Sequence, residues 1–501
     1  MTEPGAPAQQ PATGLRGSIG VPGIVFLVVA SAAPLTAIGG ALPVMLALGN
    51  AAGTPVAYLA VAAVLLLFSV GYAAMSRHVT DTGAFFAYVT RGLGRAPGLG
   101  AAGLALLTYT AIQAGIYGLA ASTLQSLAVR YGGPQLPWWA WAAILLAVVG
   151  FLGYRNIDLG AKILGVLLVL EIGVVALLSA AILLRGGPEG ASLDSFEPTT
   201  FASGSPGIAL MFAIASFIGF EATAIYGEEA RNPRRTVPIA TYVAVVLIGV
   251  FYAFASWAVV VAVGPSRVQA VAGEHTADLV IGVLSARYLG TFGAHVLPVL
   301  LFTSLFAALL AFHNAIARYC YALGRVGALP HLLSRTHHRY RSPHTGSLAQ
   351  TVCALVVLAA FTLAGADPVA QLFTWMSGLA TLSVLVLMLL ACAAVLVFFA
   401  RGDIDRRAWN TRVAPALGGV GLLGVLAAVL ANFTTLIGGS TVLAVLLLAL
   451  VVLAFVAGAA SARRPPSAAP GSAAAATTAA GARPSPPSAG APTSAPSSAP
   501  R

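Results

Sequence analysis

The sequence predicts an all-α membrane protein with twelve transmembrane helices. Three observations lead there. Of its 501 residues only 8% are charged and 58% are hydrophobic, with a mean hydropathy of +0.90; an ordinary soluble domain carries roughly 25% charged residues. The apolar residues gather into runs close to the ~20 residues that a helix needs to cross ~30 Å of hydrocarbon. Short polar loops bearing arginine separate the runs.

In order, the runs lie at about 20–48, 56–77, 97–127, 137–155, 160–184, 207–229, 237–264, 289–323, 347–364, 370–400, 414–435 and 440–461. Longer runs, such as the third, eighth and tenth, imply tilt or helix continuing past the bilayer. With the N-terminus inside, the inner loops hold Arg77, Arg91, Arg95, Arg155, Lys162, Arg231, Arg234, Arg235, Arg318 and Arg325, among others. The outer loops keep only Arg130, Arg185, Arg267 and Arg287. The positive-inside rule then puts both termini in the cytoplasm of a multi-pass protein of the cytoplasmic (inner) cell membrane. Four regions are expected: a disordered tail over 1–17, a ten-helix core over 18–400, two additional transmembrane helices over 401–462, and a disordered Pro/Ala/Ser-rich tail over 463–501. No cleavable signal peptide is expected.

The net charge of +11 does not point to nucleic acid, because the basic residues sit in short loops and form no stripe with interleaved aromatics. Three scattered cysteines, Cys320, Cys353 and Cys392, form neither a disulfide framework nor a zinc motif. There is no Ser-His-Asp set and no HExxH motif, so neither an enzyme, a metal site nor a cofactor is expected. A receptor would need a sizeable soluble domain, which the run pattern leaves no room for.

The first run reads GIVFLVVASAAPLTAIGGALPVMLALG. Pro34 lies about 20 Å along the axis from Val21, near mid-depth. Proline removes an amide donor and clashes with the preceding turn, and small residues flank it: Ser31, Ala33, Thr36 and Ala37. Either the helix breaks here or it kinks over a small-residue contact. In the third run Tyr109, Gln113 and Tyr117 recur at four-residue spacing on one face, fit for a polar cavity or for packing. Glu171 in the fifth run lies about 13 Å beyond Lys162 with no basic residue at its level. It is either a structural carboxyl or one that exchanges a proton, with a carbonyl of the broken first helix, Thr303 or Ser304 as companion.

The sixth run, SPGIALMFAIASFIGFEATAIYGEE, holds Glu221 about 12 Å inward from Glu229. A charged residue at that depth costs roughly 2.5–3.5 kcal/mol, so it must face protein, water or a proton. Gly219 two residues earlier is a natural unwinding point. Interruptions in the first and sixth spans occupy matching places in two blocks of five helices, the pattern of inverted-repeat transporters. In the eighth run His313 and Asn314 read as packed polar residues or ligands, and Phe312 as a gate or as packing.

Four segments together resemble the amino acid–polyamine–organocation (APC) permeases: SFIGFE…EEARNPRRTVPIAT, LLAFHNAIARYCYALGRVGALPHLL, TGAFFAYVTRGLGR and NIDLGAKILGVLLVLEI. The resemblance runs over roughly 18–460. It implies a leucine-transporter-like 5+5 inverted repeat with broken first and sixth helices. It also implies a substrate-binding site. The substrate carboxylate would meet amides at Thr36, Ala37 and Ile38, with Ser31, Ala33 and Pro34 beside them. The amine would meet carbonyls at Ala215, Ser216 and Ile218 next to Gly219. Phe217 or Phe220 would be the sixth-helix gate and Phe312 a second gate, with Tyr109 and Gln113 on the cavity wall. Glu171 falls where some proton-coupled members carry lysine. The implied function is transport of amino acids across the cytoplasmic membrane by alternating access. Proton symport would run through Glu171, with Glu221 steadying the unwound helix. The alternative is an antiporter exchanging an amino acid for an amine. Expected partners are thus a small amino acid or amine, protons and the lipid bilayer. Backbone and small residues recognise the α-amino acid core, so the transported side chain stays open, as does the oligomeric state.

Overall fold

A computed structural model describes residues 19–79, 84–155, 161–221, 223, 230–337, 342–402, 405 and 407–463. The tail expected over 1–17, all but the first residue of the tail expected over 463–501, residues 222 and 224–229 after the sixth-span break, and the side chains of Ser31 and Lys162 lie outside that description. Within it, backbone pairing between extended segments is confined to a single bridge, Ile19 to Ala230. Among the described residues, ten helices are long and apolar enough to cross a membrane. Two shorter apolar helices, Trp138–Tyr154 and Pro206–Phe217, occupy the fourth and sixth runs. The chain is a multi-pass helical membrane protein.

Helix ends follow the sequence signals closely. The third span, Arg95–Arg130, and the tenth, Pro368–Arg401, exceed a bilayer's thickness. The eighth extends back to Ser285, with Gly290 at φ +63° bending it just inside the expected start. Two helices in the loops were not expected from hydropathy: Ala84–Leu93 and Val268–Glu274. The first is amphipathic, burying Phe85, Tyr88 and Val89 at three- and four-residue spacing while Arg91 stays exposed.

The third span is the central post. It packs on the eighth, tenth and twelfth spans. Gly115 and Gly118 let it approach the tenth span's backbone: a side chain at Gly115 would meet the Phe373 carbonyl at 3.2 Å, and one at Gly118 would overlap the Pro368 carbonyl. At its other end Gly103 lies against the Ala454 carbonyl of the twelfth span. Small residues at such crossings are how membrane helices gain dispersion contact where no hydrophobic force drives them together.

Two spans lose their helical backbone inside the bundle. The first runs Val21–Ser31, then stops; Ala33 sits at φ +46°, ψ +73°, and the helix restarts at Pro34. The cause is local. A residue before proline is pushed out of the α region, and proline is suited to the first position of a new helix, where no amide bond is needed. The restarted segment passes through a π-helical stretch, Ala37–Ala41, before Leu42–Leu48. The sixth span's helix Pro206–Phe217 ends where Ile218 turns extended (φ −57°, ψ 127°) and Gly219 takes φ +110°, a conformation open chiefly to glycine.

Candidate functional site

Both breaks border one open cavity of about 490 Å³, a figure that includes the solvent at its mouth. From the first break it is lined by Ala32, Ala33, Thr36 and Ala37, and from the sixth by Ala215, Ser216 and Ile218. Phe312 of the eighth span closes one side. These were sequence candidates, apart from Ala32, and the fold brings them to one place.

Others lie elsewhere. Phe217 and Phe220 do not line the cavity. Phe217 is fully buried with its ring 6.2 Å from that of Tyr252, and Phe220 packs edge-on to Phe68 at 6.0 Å. The break rotates the chain between them, so helical spacing does not carry a cavity-facing side chain across it. Gly219, Pro34 and Ile38 are not among the lining residues. Gln113 is drawn away by hydrogen bonding. Its Nε2 donates to the Leu309 carbonyl (2.9 Å) and its Oε1 accepts from Gln350 (2.5 Å), joining the third, eighth and ninth spans. An amide in lipid surroundings must find partners, and these lie away from the cavity. The third span's cavity face is therefore Ile112 and Ile116, one residue earlier in each turn. His313 bonds Ser347 Oγ at 2.7 Å and is a packed polar residue.

Beyond Ile112 and Ile116, hydropathy gave no sign of the remaining wall: Ala41, Phe212, Ala308, Phe373 and Ser377. Phe373 ends a second π-helical stretch, Pro368–Phe373, whose N-terminal amides at Val369 and Ala370 are capped by Asp367. Widened turns of this kind recur at functional sites, but nothing in a uniformly apolar run announces one.

Each break is braced by one buried carboxyl. Glu171 is 4% exposed and accepts from Ser304 Oγ (2.9 Å) and from the Leu35 amide (3.4 Å). Ser304 also lies 3.4 Å from Thr36 Oγ1. The partner from the first span is an amide of the restarted helix rather than a carbonyl, as expected of a carboxyl at the positive end of a helix dipole. The carbonyl left by the break, that of Ala32, accepts from Tyr252 Oη (3.1 Å). Glu221 is 2% exposed and bridges: Oε2 accepts from the Gly219 amide (2.9 Å) and Oε1 from Tyr109 Oη (3.0 Å). Tyr72 Oη donates to the Glu221 carbonyl (3.0 Å). Tyr109 in turn places its ring 6.0 Å from that of Phe312, so wall and brace are in contact.

An interrupted pair of membrane helices around a shared small-molecule cavity defines a carrier-type membrane protein. The family is also clear: residues 19–462 match the amino acid permease family, and the chain belongs to it. That is a family of transporters rather than enzymes. The chain is 28% identical over 247 residues to the aromatic amino acid transport protein AroP of Escherichia coli K12, covering 46% of this chain and 51% of that protein. It is 26% identical over 280 residues to histidine permease of Saccharomyces cerevisiae, covering 52% of this chain and 45% of that protein. The chain thus spans about half the length of the curated relatives it matches.

Proposed function

We propose that this protein moves amino acids across the cytoplasmic membrane by alternating access, coupled to protons. Its twelve helices would form a 5+5 inverted repeat plus two peripheral spans, with both termini in the cytoplasm on the loop-charge argument. The observation that carries the reading is the convergence of the breaks at Ala33 and at Ile218–Gly219 on one cavity. The N-terminal end of the restarted first helix suits a carboxylate, and the C-terminal end of Pro206–Phe217 suits an ammonium, by the direction of the helix dipole. The names of the relatives, an aromatic amino acid transporter and a histidine permease, support an amino acid as cargo.

Glu171 supplies the coupling. Ionised, it holds the Leu35 amide and adds negative charge where the substrate carboxylate would dock. Protonated, it frees that helix end and removes the repulsion. Proton and substrate then load together. Glu221 keeps the sixth break open and needs no titration. The alternative, an exchanger of an amino acid for an amine, would move label only into liposomes preloaded with a counter-substrate.

Uptake into proteoliposomes tests this. Glu171→Gln should retain exchange of labelled for unlabelled substrate while losing accumulation driven by an inward proton gradient. Undiminished gradient-driven accumulation in that variant would remove Glu171 from coupling.

A further inference from the structure

We propose that Ser377 is a specificity residue: its hydroxyl reads one hydrogen-bonding group on a bulky, neutral aromatic side chain held beside Phe212 and Phe373. This rests on the amino acid reading above and names the substrate class within it.

Three hydroxyl-bearing residues line the cavity among the described residues: Thr36, Ser216 and Ser377. Thr36 is engaged with Ser304, and Ser216 donates to the Phe212 carbonyl at 2.8 Å. Ser377 is 1% exposed and its Oγ has no partner. A helical serine or threonine usually relieves its hydroxyl on the carbonyl four residues back, as Thr381 does on the carbonyl of Ser377 itself (2.9 Å). Ser377 does not. An unpaired buried hydroxyl is unfavourable, and a ligand in the cavity is the partner that would complete it.

The surroundings say what kind of ligand. One helical turn before Ser377 stands Phe373, whose ring lies 6.2 Å from that of Phe212 at 33°. Ile112 and Ile116 face them from the third span. The wall is apolar and aromatic, and none of the described lining residues is charged. A cationic or anionic side chain would enter without a counter-charge. A flat ring fits the wall, and a hydroxyl that both donates and accepts serves either a phenol O–H or an indole N–H. A plain phenyl ring would leave Ser377 unpaired and forgo that one hydrogen bond.

The full-length protein in proteoliposomes provides the test, comparing kcat/KM for labelled tyrosine, tryptophan and phenylalanine. The expected wild-type preference for tyrosine or tryptophan over phenylalanine is about tenfold, one neutral hydrogen bond. S377A should bring that ratio to within about twofold of one, and S377T, which keeps a hydroxyl, should restore part of it. The ligand-free melting temperature of S377A should stay level or rise, because the lost hydroxyl had no partner. An unchanged ratio in S377A, or an equal fall for all three substrates with a lowered melting temperature, overturns the inference by making Ser377 inert or merely structural. Preferred uptake of lysine or glutamate overturns it while leaving amino acid transport standing. A wild-type protein that moves no amino acid overturns both.

Discussion

Replacing Tyr109 with phenylalanine deletes one oxygen behind the sixth-span break. That oxygen is 3.0 Å from Glu221 Oε1, and the other carboxyl oxygen is held by the Gly219 amide at 2.9 Å. Glu221 is 2% exposed, so bulk water does not take the phenol's place. Hydrogen bonds between membrane helices average about 0.6 kcal/mol and reach about 1.7; those to an ionised group are worth about 1.5–3 kcal/mol. A double-mutant cycle of Tyr109→Phe with Glu221→Met, read by reversible unfolding in mixed micelles, therefore does more than detect the bond. A coupling near 0.6 kcal/mol reports a neutral carboxyl, and one above about 1.5 kcal/mol an ionised one. Both single variants should also slow uptake, since each loosens the segment that lines the cavity. Additivity within about 0.3 kcal/mol, the behaviour of independent sites, would refute the idea that Tyr109 and Glu221 together brace the break.

Other outcomes follow from the same geometry. Gly219→Ala places a Cβ at φ +110° and should cost about 1–3 kcal/mol while abolishing uptake; an active variant of wild-type stability would show that the break does not depend on this glycine. Gly103→Val drives a side chain into the Ala454 carbonyl and should destabilise by about 1–3 kcal/mol as the twelfth span is pushed off. Uptake by that variant should persist, because the cavity lies elsewhere; its loss would make the twelfth span part of the transport unit. The Glu171→Gln uptake experiment completes the set.

The spans were legible because hydropathy is written in composition, and lipid permits few alternatives to a helix. An interruption at Pro34, as a break or as a kink, was legible in the same local way, since proline limits its own backbone and that of Ala33. Glu221's bracing role was one of two readings of its depth. The amphipathic helix Ala84–Leu93 was missed because it crosses nothing and so leaves no long apolar run.

By itself, then, the sequence determined that the chain is a bundle of membrane helices, marked Pro34 and Gly219 as points where two of them are weakest, and put carboxyls at Glu171 and Glu221 deep within it. Only the tertiary structure decided which faces meet the cavity: Ile112 and Ile116 rather than Tyr109 and Gln113, Phe212 and Phe373 rather than Phe217 and Phe220, and Ser377 with its unshared hydroxyl. The reason is physical. A helix in lipid is apolar all round, so no polar face marks its inward side, and rotation is set by packing against neighbours and by the hydrogen bonds that each buried polar group must find.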